Sequence, residues 1–357
     1  MKINARRRIS IIRFFTVGWI LAFEFLGIVR GVGTVEEGSA DFSLPLSLAL
    51  GIAFGLVFGA VAGLVQVRIE ERLYRRVSLR RLLVVRLLAA LIILMSINFM
   101  GYFVVTAIRG EWMPFGLYLV EPGSLPIFFY MLCVDTFLFS LRQVNLMLGE
   151  GNLWKLIRGA FYTPREQERI FMFLDLKSST TLAEELGHVK YSTLIQDCFD
   201  DLGVVAEYGA AVYQYVGDGV VLTWSMADGL RNANCISAYF RFRQRLSERG
   251  DHYRATYGTE PVFTAGINAG VVTVTEVGKF RKDIAFHGDT INTAARIEGQ
   301  CKELNEELLV SERVATGLSD GGFDLEPIGS IPLRGKEEAV NIFSVTRPSV
   351  RNDGLRP

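Results

Sequence analysis

Residues 171–181 read FMFLDLKSSTT, and residues 213–224 read YQYVGDGVVLTW. The first stretch is an apolar strand that ends on Asp175. The second is a pair of apolar strands around a Gly217-Asp218-Gly219 turn, a composition suited to a tight hairpin. If the strands are neighbours, Asp175 and Asp218 project from the same edge of one sheet. Two adjacent carboxylates form a hard-oxygen site for Mg²⁺ or Mn²⁺. Ions of that kind hold triphosphates and lower the pKa of an attacking hydroxyl. Read singly, Asp218 is an ordinary turn residue and Asp175 a helix cap, so the neighbouring segments decide between these readings.

Working outward, the pattern predicts a strand over 169–174, a helix over 180–207, the hairpin strands 212–216 and 220–224, and a helix over 228–249. Strands over 263–275 and 283–286 follow, then a helix over 289–304 and short strands. The order β-α-β-β-α-β implies an α+β, ferredoxin-like split βαβ domain, with helices on one face of an antiparallel sheet. Within it, residues 286–299 read FHGDTINTAARIEG. Asn292 and Arg296 are four apart in a helical stretch and share a face. An amide and a guanidinium there can contact sugar and phosphate, and the arginine can neutralise charge developing on a transferred phosphorus. Residues 332–345 read PLRGKEEAVNIFSV, in which Arg334 and Lys336 flank a glycine in a turn that can cover a triphosphate.

Taken in order, FLDLKSST, YVGDG and HGDTINTAARIE make the region from 169 to 345 resemble the catalytic domain of class III adenylate/guanylate cyclases. The resemblance implies two catalytic domains paired head to tail, with each active site shared across a homodimer. It implies that Asp175 and Asp218 hold two Mg²⁺ or Mn²⁺ ions, with the Leu176 backbone near the second. It also implies that Asn292 and Arg296 reach in from the other protomer, to orient ribose and to stabilise the transition state. Arg334 falls where the family usually has a triphosphate-contacting lysine, with Lys336 beside it. The implied reaction converts ATP to 3′,5′-cyclic AMP and pyrophosphate.

The departures concern the base. Gln214 stands where adenylate-specific relatives usually carry lysine, and Ala285 where they carry Asp or Thr. Guanylate-specific relatives usually carry Glu and Cys there, so the chain matches neither set. A glutamine amide both donates and accepts and can meet either base edge. His287, where many relatives have a large aromatic, is expected to pack against the base rather than fill the core. ATP is favoured over GTP because the FHGD segment is usual among relatives grouped with adenylate cyclases. A guanylate cyclase making cyclic GMP is the nearest alternative. A catalytically silent membrane sensor with a cyclase-like dimerisation module is the alternative of another class, although both aspartates and Arg296 are present.

Before residue 149 the sequence changes character. The chain has 357 residues, half of them hydrophobic, and the long apolar runs lie in this first part. Four spanning segments are expected, over 9–29, 42–67, 82–108 and 125–148, because about 20 apolar residues cross the hydrocarbon core. Lys2, Arg6, Arg7 and Arg8 precede the first. Arg68, Arg72, Arg75, Arg76, Arg80 and Arg81 lie between the second and third. Both clusters therefore face the cytoplasm, which predicts an integral protein of the inner or plasma membrane with both termini cytoplasmic.

Gly51, Gly55, Gly59 and Gly63 form a smooth stripe for close helix approach, toward a partner in the same chain or in a second protomer. Glu24, Arg86 and Asp135 are expected to face the bundle interior, paired with one another or lining a cavity. The expected divisions are a membrane domain over 1–148, a connector over 149–168, the catalytic domain over 169–347 and a tail over 348–357. The connector reads equally as a plain linker and as a rigid transmitting element.

The charge balance, 38 basic against 38 acidic residues, argues against nucleic acid as a partner. Four separated cysteines fit a reducing compartment rather than a disulfide framework.

Overall fold

The structure is a computed structural model; it describes residues 5–36, 44–72, 77–110, 112, 114–119, 124–149, 152–280, 282–318, 322–332 and 339–347. Arg334, Lys336, Arg75, Arg76 and the 348–357 tail lie outside the described residues. The chain separates into two compact units, Met1–Met147 and Leu148–Pro357.

The first unit contains α1 (Ala5–Glu36), α2 (Leu44–Arg72), α3 (Leu79–Arg109), the short α4 (Phe115–Leu119) and α5 (Ser124–Met147). Among the described residues, three stretches are long and apolar enough to cross a membrane: Arg7–Val29, Leu44–Glu71 and Leu125–Met147. Four were expected, and the stretch over 82–108 is not among the three. α3 opens on Arg80 and Arg81 with Arg86 one turn further, and several of its side chains lie outside the described residues.

The glycine stripe of α2 lies against α1 of the same chain. A Cβ at Gly63 would come within 2.7 Å of Ile12 Cα, and one at Gly59 or Gly55 would overlap the Thr16 or Ile20 backbone. At Gly51 the obstacle is the Glu24 carboxylate. The stripe therefore brings two backbones of one chain together, a question the sequence left open.

The buried charges of this unit are mostly paired. Arg86 donates from Nε and Nη2 to the two oxygens of Asp135 at 2.8 and 2.6 Å, and from Nη1 to the Ala62 carbonyl at 3.0 Å. Its guanidinium also lies over the Phe15 ring. Arg142 grips Glu70 in the same two-pronged way, at 3.0 and 3.1 Å. The third charge singled out in the sequence, Glu24, has buried carboxylate oxygens with no hydrogen-bond partner among the described residues.

The second unit runs α6 (Asn152–Ile157), β1 (Arg165–Leu176), α7 (Ser179–Leu186), α8 (His188–Leu202), β2 (Ala211–Val216), β3 (Gly219–Ser225), α9 (Met226–Leu230), α10 (Asn234–Glu248) and α11 (Gly250–Tyr257). It continues with β4 (Phe263–Val277), β5 (Asp283–His287), α12 (Asp289–Leu304), β6 (Leu308–Ser311), α13 (Glu312–Gly317), β7 (Asp324–Ile331) and β8 (Val340–Thr346). The strands form one sheet in the order β2-β3-β1-β4-β6-β8-β7, with β5 folded onto β4. Its β2-β3-β1-β4 part is the antiparallel split-βαβ core that the element order implied.

Local chemistry explains several departures from the expected elements. β1 begins at Arg165, inside the stretch read as connector. The helix expected over 180–207 breaks at Gly187, whose φ of +73° suits glycine. The helix expected over 228–249 is kinked at Asn232 and Ala233, both at positive φ. β6 pairs with β4 in parallel, so the sheet is mixed.

Helices also cover both faces of the sheet. Side chains alternate along a strand, and on β1 Ile170, Met172, Leu174 and Leu176 join the core with Leu194, Cys198, Ile236 and Tyr239 of α8 and α10. Phe171 points the other way, to a second cluster with Val221, Val272 and Ala294 of α12. Asp175 has the same parity as Phe171, so it lies on the α12 side of the sheet.

Candidate active site

The edge of the sheet that carries the acids is set by register. Leu174 of β1 faces Val220 of β3. The next residue of β1 therefore comes level with the turn that opens β3. A Cβ at Gly219 would lie 3.1 Å from Asp175 Oδ1, which fixes the closeness of turn and strand end. Gly217 takes φ +62° to make that turn, and the turn presents Asp218. Asp175 and Asp218 are both half-buried.

The electrostatics follow from this convergence. Burial and then the facing Asp218 push the Asp175 carboxyl above its usual range, against the pull of the Leu176 N–H. Asp218 Oδ2 is buried and has no hydrogen-bond partner among the described residues. An unpartnered buried carboxylate oxygen is unfavourable unless something positive or hydrogen-bonding meets it. The donor set, two carboxylates with the Leu176 main chain beside them, fits a hard divalent cation. Among the described residues no three His, Cys, Asp or Glu side chains close around one point. That also suits Mg²⁺, which takes one or two carboxylates and completes its shell with water and substrate phosphates.

Three more side chains belong to this edge and were not singled out in the sequence. The Tyr191 phenol of α8 is raised by burial and then by Asp218, with Asp175 adding to it. Thr264 of β4 is the cross-strand partner of Asp175. Its hydroxyl donates to Glu298 Oε1 of α12 at 2.8 Å. The Glu298 carboxyl is raised by burial, lowered by the Thr264 bond, and raised again by Asp175 and Asp218. Glu298 was findable: two residues beyond Arg296 is about 200° around a helix, hence the opposite face from Asn292 and Arg296.

Those two residues are not brought to the carboxylates within one chain. Asn292 is exposed. Arg296 Nη1 lies 3.7 Å from Asp289 Oδ1, two turns back on its own helix, and has no hydrogen bond among the described residues.

Gln214 is exposed on β2, just past a bulge between Val212 and Gln214, and Ala285 lies half-buried on β5. Their sequence neighbours meet: the Tyr213 and Phe286 rings are 5.0 Å apart, and the Phe286 N–H donates to the Tyr213 hydroxyl at 3.4 Å. His287 is exposed at the end of β5 and does not fill the core.

Comparison with known proteins bears on the family and the fold. The chain is 30% identical over 233 residues to adenylate cyclase 2 of Rhizobium meliloti, covering 65% of this chain and 64% of that protein. It is 28% identical over 183 residues to an adenylate cyclase of Anabaena cylindrica, covering 49% and 36%. The chain thus spans less than two thirds of the length of these relatives. Among solved structures, a bacterial light-regulated adenylyl cyclase superposes with a TM-score of 0.55 at 20% identity, over 64% of this chain and 67% of that one, a likeness of fold. Residues 161–346, more than half the chain, match the adenylate and guanylate cyclase catalytic domain, and the chain belongs to that family.

Proposed function

We propose that the chain is a membrane-anchored adenylate cyclase that acts as a homodimer. The observation that carries this reading is the pair of convergent carboxylates, Asp175 and Asp218, one with a buried oxygen left unpartnered, on a family fold. In it, Asp175, Asp218 and the Leu176 backbone hold two Mg²⁺ or Mn²⁺ ions. When bound, such ions neutralise triphosphate charge and make the ribose 3′-hydroxyl easier to deprotonate. The chain's own side chains then position and bind. Asn292 and Arg296 project from the face of α12 turned away from their own carboxylates, which suits service to a second protomer's site. There Asn292 orients the ribose, and Arg296 meets the charge that grows on the α-phosphorus as the 3′-oxygen attacks and pyrophosphate leaves. Gln214 and Ala285 flank the base, and Arg334 with Lys336 covers the triphosphate.

The three apolar helices anchor the protein in the inner or plasma membrane. In this reading α3 is the fourth crossing, and the arginine-rich segments put both termini on the cytoplasmic side. ATP is favoured because the relatives named above are adenylate cyclases. Gln214 keeps GTP as the second reading, since its amide meets either purine edge.

Purified protein in detergent, given ATP and GTP separately with Mn²⁺, is expected to make cyclic AMP faster. Faster cyclic GMP formation overturns the substrate assignment. Co-expression of an Asp175→Ala chain with an Arg296→Ala chain, each inactive alone, is expected to restore activity through one composite site. Failure to restore it overturns the shared-site reading.

A further inference from the structure

α12 has two working faces. Asn292 and Arg296 lie within about 40° of each other around the helix, and Glu298 lies about 200° from Arg296. The Glu298 face turns onto the chain's own sheet. Its carboxylate accepts the Thr264 hydroxyl at 2.8 Å, and that same oxygen of Thr264 lies 3.5 Å from the Asp175 carbonyl. Two residues along β4, Gly266 has no room for a Cβ, because the Glu298 main chain occupies the space. Glu298 is therefore held by a helix in backbone contact with the sheet, beside the residue paired with Asp175, and is no floating surface acid.

Its charge has no structural use there. A glutamine would accept the Thr264 hydroxyl equally well and would not add a third acid to a half-buried edge that already carries two. Among the described residues neither Asp175, Asp218 nor Glu298 has a salt-bridge partner, and the three do not close around one point. A carboxylate so placed acts on an occupied edge from beside the ions, through its charge. We propose that Glu298 is a positioning residue for the divalent cations of its own chain, acting through its charge, which the Thr264 bond holds beside them. One helix then serves two sites, its Glu298 face the metals of its own chain and its Asn292–Arg296 face the substrate of the partner. This rests on the two-metal, shared-site reading above.

The composite dimer separates the two faces. Glu298→Gln is added either to the Arg296→Ala chain, which supplies the working carboxylates, or to the Asp175→Ala chain, which supplies the working arginine. In the first arm the Mn²⁺ concentration for half-maximal activity is expected to rise about tenfold, the lower end for loss of a group that supports metal ligands. The KM for ATP at saturating Mn²⁺ stays unchanged. In the second arm neither value moves. No shift in the first arm, or equal shifts in both, overturns the proposal. If the unmodified composite is itself inactive, the shared-site reading has failed separately. Mn²⁺ binding to the Glu298→Gln homodimer, followed by electron paramagnetic resonance with a triphosphate lacking the 3′-hydroxyl, then decides. An affinity equal to the parent's overturns the proposal, and a loss of about tenfold upholds it.

Discussion

Two places in the molecule treat buried acids in opposite ways, the Arg86–Asp135 and Arg142–Glu70 pairs of the N-terminal unit and the sheet edge of the C-terminal unit. In the N-terminal unit, Arg86 closes on both oxygens of Asp135, and Arg142 on both oxygens of Glu70. In the C-terminal unit, Asp175 and Asp218 face each other at the sheet edge, and Glu298 stands behind them. That unit is able to pair acids: fully buried Asp201 takes Arg245, Arg249 and Tyr253, and Asp197 takes His252 and Tyr257. Those acids are matched from within the chain, whereas on the proposed reading the sheet-edge acids are left for a cation to match. Substitutions that remove charge without changing shape should therefore act with opposite sign on stability in the two places.

The largest effect is expected on turnover. Asp175→Asn keeps shape and removes one ligand charge, and losing metal stabilisation of several kcal/mol corresponds to on the order of 10³-fold in cyclic nucleotide formation. Activity within tenfold of the parent, in protein that melts normally, breaks the reading of this edge as a metal site. Next comes the paired side of the comparison. Arg86→Gln strands Asp135 in an apolar bundle, and breaking a buried pair from one end costs about 3–5 kcal/mol. Thermal unfolding of the full chain in detergent reads this loss, and Arg86→Gln with Asp135→Asn should recover part of it. An unshifted single variant would show that the pair contributes nothing to the bundle.

A third effect tests packing without charge. Gly59→Ala places a Cβ onto the Thr16 backbone, and overpacking of this kind costs about 1–3 kcal/mol. Gly116→Ala, where a Cβ would meet nothing within 4 Å, is the matched control. Equal melting of the two variants would remove the stripe as a packing face.

How much of this was legible depends on whether the deciding physics was local. The apolar runs ending at Asp175 and turning at Asp218 announced their strands, and one antiparallel register did the rest. The glycine stripe announced a close approach but not its partner. The surface it meets, Ile12, Thr16, Ile20 and Glu24, recurs every four residues with no shared chemistry. The helix breaks at Asn232 and Ala233 were not legible, since a positive φ outside glycine is imposed by tertiary packing. Glu298 carries no signal of its own, since the Asn292–Arg296 spacing marks only the other face of α12. The back of a helix acquires meaning only when the strand beneath it is known, here Thr264 in register with Asp175. Arg86 and Asp135 were visible as misplaced charges, but their pairing is a contact between helices 49 residues apart in sequence.

The smallest effect is also the sharpest test of the contrast, because its size changes with pH and its sign with metal. Burial and Asp218 hold the Asp175 carboxyl above its ordinary value in the folded chain. An acid raised on folding contributes stability below its unfolded pKa and loses it as pH rises through the folded value. Asp197 runs the other way. Burial raises it, but His252, Tyr257 and Arg249 outweigh burial and leave it lowered. Its contribution is present above the unfolded pKa and fades as pH falls through the folded value. With a chelator at neutral pH, Asp175→Asn should therefore melt above the parent, on the order of a degree or two for a domain of this size. The two curves should converge as the pH falls into the ordinary carboxylate range. Saturating Mn²⁺ should reverse the order, since the cation stabilises only the chain that binds it. Asp197→Asn should melt lower than the parent at neutral pH with or without metal. An Asp175→Asn variant that melts lower than the parent in chelator would place Asp175 with Asp197 and Asp135, among the acids that hold the fold.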